Sequence, residues 1–148
     1  MPNWAEGSLK LRGKSENIAS ALKEMLLNDT VTLEDKWDGV LLIFNNTAPY
    51  FYINGTRRAF IDKKQIEVWF EEEFLTVELD NFKQAWSAIP ENYKKISSKF
   101  DVDIKIFTFE CCMEFTQEIE ISKGEIIKDV CHEYVDYQWE VPFSNLGG

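Results

Sequence analysis

Hydrophobic and polar residues alternate along this chain with two different periods, which predict different elements. A period of two is typical of a half-buried strand, and a spacing of three to four residues is typical of an amphipathic helix. Residues 8–12 follow the period of two and predict a strand that ends at Gly13. Ser15 then predicts the cap of a helix over about residues 15–27, which ends at Asn28-Asp29. The apolar face of this helix holds Ile18, Ala21, Leu22, Met25 and Leu26.

The middle of the chain consists of short apolar segments separated by turn residues. Asn54-Gly55 is the strongest hairpin signal, because both residues tolerate the positive φ of a type I′ turn. We therefore expect this part of the chain to form strands joined by tight turns. The predicted strands cover residues 30–34, 40–44, 51–53, 59–61, 68–70 and 75–79.

The last part of the chain returns from helix to strand. Asp80 predicts the cap of a second helical region that carries Phe82 and Trp86, and Pro90 fits the first position of a helix over about residues 90–100. Period-two segments then predict four strands, with a turn at residues 122–125. These strands cover residues 102–106, 113–121, 126–131 and 135–141.

Two strand-and-helix units, each leading into further strands, predict an α+β domain with both helices on one face of an antiparallel sheet. That arrangement is the ferredoxin-like βαββαβ core, here with hairpins inserted at about residues 30–79. No repeat, low-complexity segment or linker divides the sequence. We therefore expect a single domain over residues 1–148.

The chain carries a formal net charge of −10, which is unevenly spread. Residues 101–148 hold 11 acidic and three basic side chains, a net charge of −8. Nucleic acid is a poor partner for such a surface, because phosphate binding needs Lys and Arg. A basic surface on another protein is a better match. The expected partner-binding residues are the acidic side chains of the C-terminal strands: Glu114, Glu118, Glu120, Glu125, Asp129, Asp136 and Glu140.

The first residues lack the charged start and apolar stretch of a signal peptide, and no apolar run is long enough for a membrane span. Three cysteines make a poor disulfide framework, which fits a reducing compartment. We expect a cytoplasmic protein, a monomer or weak homodimer, with no membrane contact and no cofactor.

The opening sequence PNWAEGSLKLRG, residues 2–13, resembles the start of the YubB-like proteins of phages and plasmids. The resemblance covers both ends of the chain and leaves about residues 30–75 unmatched. It implies a ferredoxin-like domain and a setting among the accessory genes of mobile elements. Ala5 stands where the family usually has Cys, so any metal or redox role of that Cys is lost. The other matching positions are Phe82, Trp86, Pro90, residues 90–109, Glu110, Phe115 and Lys123-Gly124-Glu125.

The sulfur and imidazole side chains raise the possibility of a zinc site. Cys111, Cys112, Cys131 and His132 have the required ligand chemistry. The predicted hairpin places Cys131 opposite Thr116, about four residues or roughly 13 Å from Cys112 along the strands. Adjacent cysteines on a strand also point to opposite faces. We therefore expect no metal and no disulfide, and the single histidine, without a marked nucleophile, predicts no enzyme activity.

Two further clusters carry a possible chemistry. The run Glu71-Glu72-Glu73 with nearby acids could hold a divalent cation, although a run of like charges is typically a solvated surface. Arg57-Arg58 and Lys63-Lys64 form the one basic-aromatic patch, which could stack on single-stranded nucleic acid. Its aromatic members are Tyr50, Phe51, Tyr52 and Phe60. The final Leu146-Gly147-Gly148 predicts a flexible end.

Taken with the resemblance, the charge pattern predicts a non-enzymatic acidic binding protein of a phage or mobile element. Its expected action is to inhibit a host nucleic-acid-binding or defence protein, for example a CRISPR nuclease, by occupying a basic surface as a nucleic-acid mimic. Two alternatives stay open at this point. One is a small carboxylate-based metal-dependent enzyme, and the other is a self-associating structural or assembly protein.

Overall fold

Strands dominate the protein, whose computed structural model describes residues 2–27 and 31–148. Strand residues make up 52% of the chain and helical residues 18%. The strands are β1 (Trp4–Lys14), β2 (Val31–Lys36), β3 (Gly39–Asn45), β4 (Phe51–Ile53), β5 (Thr56–Ile61), β6 (Gln65–Phe70), β7 (Phe74–Ala85), β8 (Asp103–Glu110), β9 (Phe115–Ser122) and β10 (Glu125–Glu133). The helices are α1 (Ser15–Met25), α2 (Glu91–Phe100) and α3 (Tyr137–Glu140). The helix end predicted at Asn28-Asp29 and the strand start predicted at Thr30 lie outside the described residues.

The strands form two antiparallel sheets. The large sheet has seven strands in the order β10-β9-β8-β1-β7-β5-β4, so β1 lies near its centre, between β7 and β8. The small sheet has the order β2-β3-β6. Its buried residues, such as Leu42 and Val68, belong to the same hydrophobic cluster as those of the large sheet.

The predicted ferredoxin-like α+β core is therefore wrong. The structure is mostly antiparallel β, with one seven-stranded sheet, one three-stranded sheet and three short helices. The segment predicted as inserted hairpins contributes β4, β5 and the first half of β7 to the large sheet, and β2, β3 and β6 to a sheet of its own. A period of two specifies a strand and its buried face, but it does not specify the neighbouring strand, so the sequence pattern could not predict this division.

The helices α1 and α2 contact each other and cover one face of the large sheet, which we call the inner face. Helix α1 packs on β1 and β7, and α2 packs on β8, β9 and β10. Leu9, Leu11, Ile104 and Ile106 point to this face and are fully buried. The opposite, outer face carries the alternate residues of the same strands. Among the described residues, no helix is long and apolar enough to cross a membrane.

The segment predicted as a helical region after Asp80 is instead strand and loop. Phe82 is buried in β7, and Trp86 follows the strand with a φ of +64°. The side chain of Gln117 on β9 holds this loop, because it accepts from the N–H of Ala88 at 2.8 Å and donates to the Ala88 carbonyl at 2.9 Å. Phe82 is apolar because it is buried in the sheet. Residue propensities alone did not distinguish this part of the strand from a short helix.

Two tight turns agree with the sequence. Asn54 and Gly55 have φ values of +52° and +71°, and Lys123 and Gly124 have +51° and +75°. Positive φ at both central residues is the geometry that favours Asn and Gly in a two-residue hairpin loop. The hairpin predicted at Asn54-Gly55 is thus confirmed.

Gly7 allows the close approach of β1 and β8. A Cβ atom added at this position would lie 1.9 Å from the carbonyl oxygen of Phe107 and 2.9 Å from its carbonyl carbon. Both atoms belong to the backbone, so no side-chain rotation can relieve the overlap. The centre of the large sheet therefore requires glycine here.

We expect Gly7→Ala to lower the free energy of unfolding by about 1–3 kcal/mol or more, because the added methyl forces β1 and β8 apart. Urea denaturation monitored by circular dichroism measures the loss. Ser8→Ala is the matched control on the next residue and should change stability by less than about 0.5 kcal/mol. Equal stability of the two variants would contradict the proposed close approach.

Candidate functional site

The acidic residues predicted to bind a partner do not form one surface. Glu118 and Glu120 lie on the outer face of β9, opposite Phe107 and Lys105 of β8. The others lie on β10, in turns or beside α3. Each group therefore has a different electrostatic environment, and only some of the carboxylates are free to meet another protein.

Glu118 is neutralised by two lysines. Its Oε1 lies 3.0 Å from the Nζ of Lys105, and its Oε2 lies 3.0 Å from the Nζ of Lys128. Hydrogen bonds from these two ammonium groups, Lys128 first, lower the pKa of Glu118. The carboxylate links β8, β9 and β10 across the outer face. Its ion pairs stabilise the sheet, so it is less available to a partner protein.

A second ion pair balances the end of the outer face near Glu120. The Arg12 guanidinium donates to Oδ2 of Asp103 through Nε at 3.0 Å and through a terminal nitrogen at 2.7 Å. The hydroxyl of Ser122 donates to the other oxygen of Asp103 at 2.7 Å. Although burial opposes ionisation, the bonds from Ser122 and Arg12 leave the pKa of Asp103 lowered. The outer face thus carries matched charges.

The edge strand β10 carries the unmatched charges. Glu125, Asp129 and Glu133 are exposed and form no ion pair with any residue of the described chain. Partial burial and then the negative charges of Glu133 and Asp129 raise the pKa of the Cys131 thiol, which lies between them. The negative field of β10 is therefore not cancelled locally.

A β-bulge decides which face these acids occupy. The pairing of β10 with β9 shifts between Ile126 and Lys128, so that Lys128 lies opposite Glu120 and Val130 opposite Glu118. Cys131 consequently lies opposite Gln117, and its predicted position opposite Thr116 is wrong. Regular pairing would have placed Asp129 directly opposite Glu118, and like charges in that position are destabilising. The bulge turns Asp129 to the inner side and brings a lysine to the glutamates.

The remaining predicted residues lie at the other end of β9 and β10. Glu114 is in the turn before β9 with a φ of +58°, and its carbonyl accepts from the N–H of Tyr134 at 3.2 Å. Asp136 precedes α3 and donates its backbone N–H to the carboxylate of Glu140 at 3.0 Å. The strand predicted over residues 135–141 is wrong, since this segment forms α3. Asp136 and Glu140 therefore do not extend the acidic face of a strand.

Cys111 and Cys112 lie in a turn after β8, and not on a strand as predicted. Both sulfurs lie near Gly148, where an added Cβ would be 3.2 Å from one and 3.0 Å from the other. The buried carboxylate of Glu110 accepts from the N–H of Cys112 at 3.1 Å and of Met113 at 2.7 Å, which fixes the turn. The two thiols thus share a side, and the predicted divergence is wrong.

Within the described chain, one group of side chains has ligand atoms close enough to share a metal ion. It consists of Glu110, Cys111 and Cys112, whose ligand atoms lie within 4.8 Å of one another. Burial first, and then the neighbouring Cys112 and Glu110, raise the pKa of Cys111, which disfavours the thiolate that a metal needs. Cys131 and His132 lie on β10 and do not join this group. The three cysteines are free.

The outer face also holds a cleft of about 480 Å³ that the sequence did not predict. One wall is apolar and consists of Phe107, Phe109, Phe143 and Leu146, and the other carries Lys10, Glu78 and Asp80. The apolar wall is completed by residues 141–148, which we call the C-terminal strap. The ring of Phe143 meets that of Phe109 edge-on at 6.2 Å.

The strap is held by its two glycines, and the predicted flexible end is wrong. The N–H of Gly147 donates to the carboxylate of Glu6 at 2.8 Å, and the N–H of Gly148 donates to the carbonyl of Trp4 at 2.8 Å. A Cβ on Gly147 would lie 2.3 Å from the carbonyl oxygen of Phe109. The signal available in the sequence was the glycine pair itself, which permits such a close contact with backbone.

The basic-aromatic patch is only partly assembled. Tyr50, Tyr52 and Phe60 cluster with Trp4 on the outer face, where the Trp4 and Phe60 rings meet at 5.2 Å. Phe51 is buried in the core. Lys63 pairs with Asp80. The exposed acidic run of residues 71–73 lies in the turn between β6 and β7 and does not converge on a common centre within the described residues.

Comparison with known proteins adds no relative to this picture: no family model, no curated protein and no solved structure matches the chain. The resemblance to the YubB-like proteins stays a prediction. The arguments for function therefore rest on the charges and the exposed elements of this protein alone.

We expect Glu118→Gln to lower the free energy of unfolding at pH 7 by about 0.5–1 kcal/mol, because two ion pairs are lost. The pKa of Glu118 is lower in the folded than in the unfolded protein, where the pKa of glutamate is about 4.3. Its contribution is therefore present above that pH and is lost as the pH falls through the lowered pKa. Urea denaturation from pH 7 to 3 should show the difference disappear. Glu125→Gln, an unpaired control, should have little effect, and a pH-independent loss in Glu118→Gln would contradict the electrostatic origin.

We expect Gly147→Val to detach the strap while leaving the sheet folded, because the new side chain meets the Phe109 carbonyl and a φ of +82° is unfavourable for valine. Hydrogen exchange should accelerate at residues 141–148 and stay unchanged in β8. Asn145→Ala, an exposed position on the same strap, is the control. Unchanged protection of the strap in Gly147→Val would show that the glycine contacts do not hold it.

Proposed function

We propose that the protein acts by binding a basic surface of another protein through the unpaired carboxylates of β10. The single observation that carries this proposal is the contrast between the two strands of the C-terminal hairpin, β9 and β10. Glu118 on the outer face has two lysine partners, whereas Glu125, Asp129 and Glu133 have none among the described residues. Charges that the fold does not use remain available for association.

The proposed partner is a host nucleic-acid-binding protein, such as a CRISPR nuclease, met in the cytoplasm of the host cell. Proteins of this class present Lys and Arg along the path of the phosphates. A carboxylate-bearing strand can occupy that path and compete with nucleic acid. The net charge of −8 over residues 101–148 supports long-range attraction to such a surface. The setting in a mobile element rests on the resemblance alone.

The alternatives draw less support from the arrangement of side chains. A carboxylate-based metal enzyme needs acids that converge, and the exposed acids of β10 lie along an extended strand, with about 13 Å between residues four positions apart. Self-association would use exposed apolar residues, but the charges of β10 oppose the pairing of two copies, as argued below. Binding of a basic partner requires exposed acids that are spaced along a surface, and the acids of β10 are arranged in this way.

The proposal predicts that the protein displaces nucleic-acid-binding proteins from immobilised single-stranded DNA loaded with bacterial lysate. The triple variant Glu125→Gln, Asp129→Asn, Glu133→Gln should displace at least about tenfold less bound protein at 50 mM salt. The reason is that it loses the direct attraction between these carboxylates and the basic surface. Displacement by the natural chain should also weaken toward 500 mM salt, as the screening length falls below ~8 Å.

The matched control neutralises Glu71, Glu72 and Glu73 to glutamine. These residues are exposed and lie in the turn between β6 and β7, so the control changes the net charge by the same amount at a different place. It should displace as the natural chain does. The proposal fails if both triple variants behave alike, or if the natural chain displaces nothing.

A further inference from the structure

We propose that the partner adds a strand to the free edge of β10, and that this strand is basic. This inference rests on the proposed function and names the way in which the partner is bound. Strand addition uses main-chain hydrogen bonds for affinity and the alternate side chains for specificity. Four observations support it: the position of β10, its length, the placement of its one lysine and the pattern of its acids.

Strand β10 is the outermost strand of the large sheet, next to β9 alone. The N–H and C=O groups that point away from β9 therefore have no backbone partner among residues 2–27 and 31–148. It has nine residues, whereas β4 at the opposite edge has three, and the edge strands β2 and β6 of the small sheet have six each. The structure thus offers its longest pairing edge at the acidic strand.

The charges along this edge are acidic over most of its length, so they oppose an acidic strand but attract a basic one. Natural sheets guard a long edge with charged side chains, most often lysine, that oppose the approach of another strand. Lys128 is the one lysine of β10, and its Nζ is held 3.0 Å from Glu118 over the outer face. The bulge distorts only the start of the strand, between Ile126 and Lys128. Val130 is 45% exposed beyond it, and so can pack against a neighbouring strand.

The acids select a basic occupant over a second copy of this chain. The antiparallel register that pairs all nine residues of two copies would place Asp129 opposite Asp129 and Glu125 opposite Glu133. Like charges directly opposite each other are destabilising. A segment with lysine or arginine at alternate positions instead places opposite charges beside Asp129 and Glu133. Asp129 and Glu133 lie on the same side of β10, opposite Ile119 and Phe115, so one face of such a segment meets both.

The test uses a short peptide of alternating lysine and valine, which places its charges on one face when extended, and the same peptide with every backbone nitrogen methylated. Both carry the same charge, but the methylated form cannot donate to a neighbouring strand. Titration into the isotope-labelled full chain, followed by amide NMR, should perturb β10 and protect its outward-facing amides from exchange. The methylated peptide should bind at least about tenfold more weakly, because several hydrogen bonds are lost.

Equal binding of the two peptides would overturn strand addition and leave a charge-based function intact. Failure of the unmethylated peptide to bind at β10, or concentration-dependent pairing of two copies through β10, would also overturn it. The triple variant Glu125→Gln, Asp129→Asn, Glu133→Gln should lose the unmethylated peptide. If the peptide pairs with β10 but no host protein is displaced from DNA, the proposed function fails while the pairing mode stands.

Discussion

The fit of β1 between β7 and β8 is the constraint on which the rest of the fold depends. Its buried residues form the middle of the core on the inner face, where α1 and α2 pack. The backbone of β8 approaches so closely at Gly7 that no side chain can be accommodated. Because β8 is fixed there, β9 and β10 follow from it as a hairpin, and the charged part of the chain is carried to the edge of the sheet.

The charge distribution follows from this order of strands. An acid on a strand with a neighbour on each side can lie beside lysine from both, as Glu118 of β9 does beside Lys105 of β8 and Lys128 of β10. At the edge, β10 has a neighbour on one side only, so Asp129 and Glu133 gain no such partner among the described residues. Net charge alone gave no hint of this difference, although it decides which carboxylates remain free for another molecule.

Local features could be predicted from the sequence, and long-range ones could not. The strand at residues 51–53 and the turn at Asn54-Gly55 are specified by neighbouring residues, and both are present. The alternation at residues 135–141 was misleading, because Tyr137 and Val141 also satisfy a helical spacing. Both are buried around α3, while Val135 and Trp139 are 99% and 86% exposed. The second sheet, the cleft and the strap arise from contacts between distant segments, which no local period encodes.

The bulge in β10 determines where this strand can change length. Ile127 is the extra residue between the pairs of Ile126 with Ile121 and Lys128 with Glu120. A chain that lacks Ile127 keeps every later pair in register, whereas the loss of a residue beyond Lys128 moves each following side chain to the opposite face. In a set of diverged sequences, insertions and deletions in this hairpin would therefore collect at one position, and the acidic pattern beyond it would keep a constant spacing.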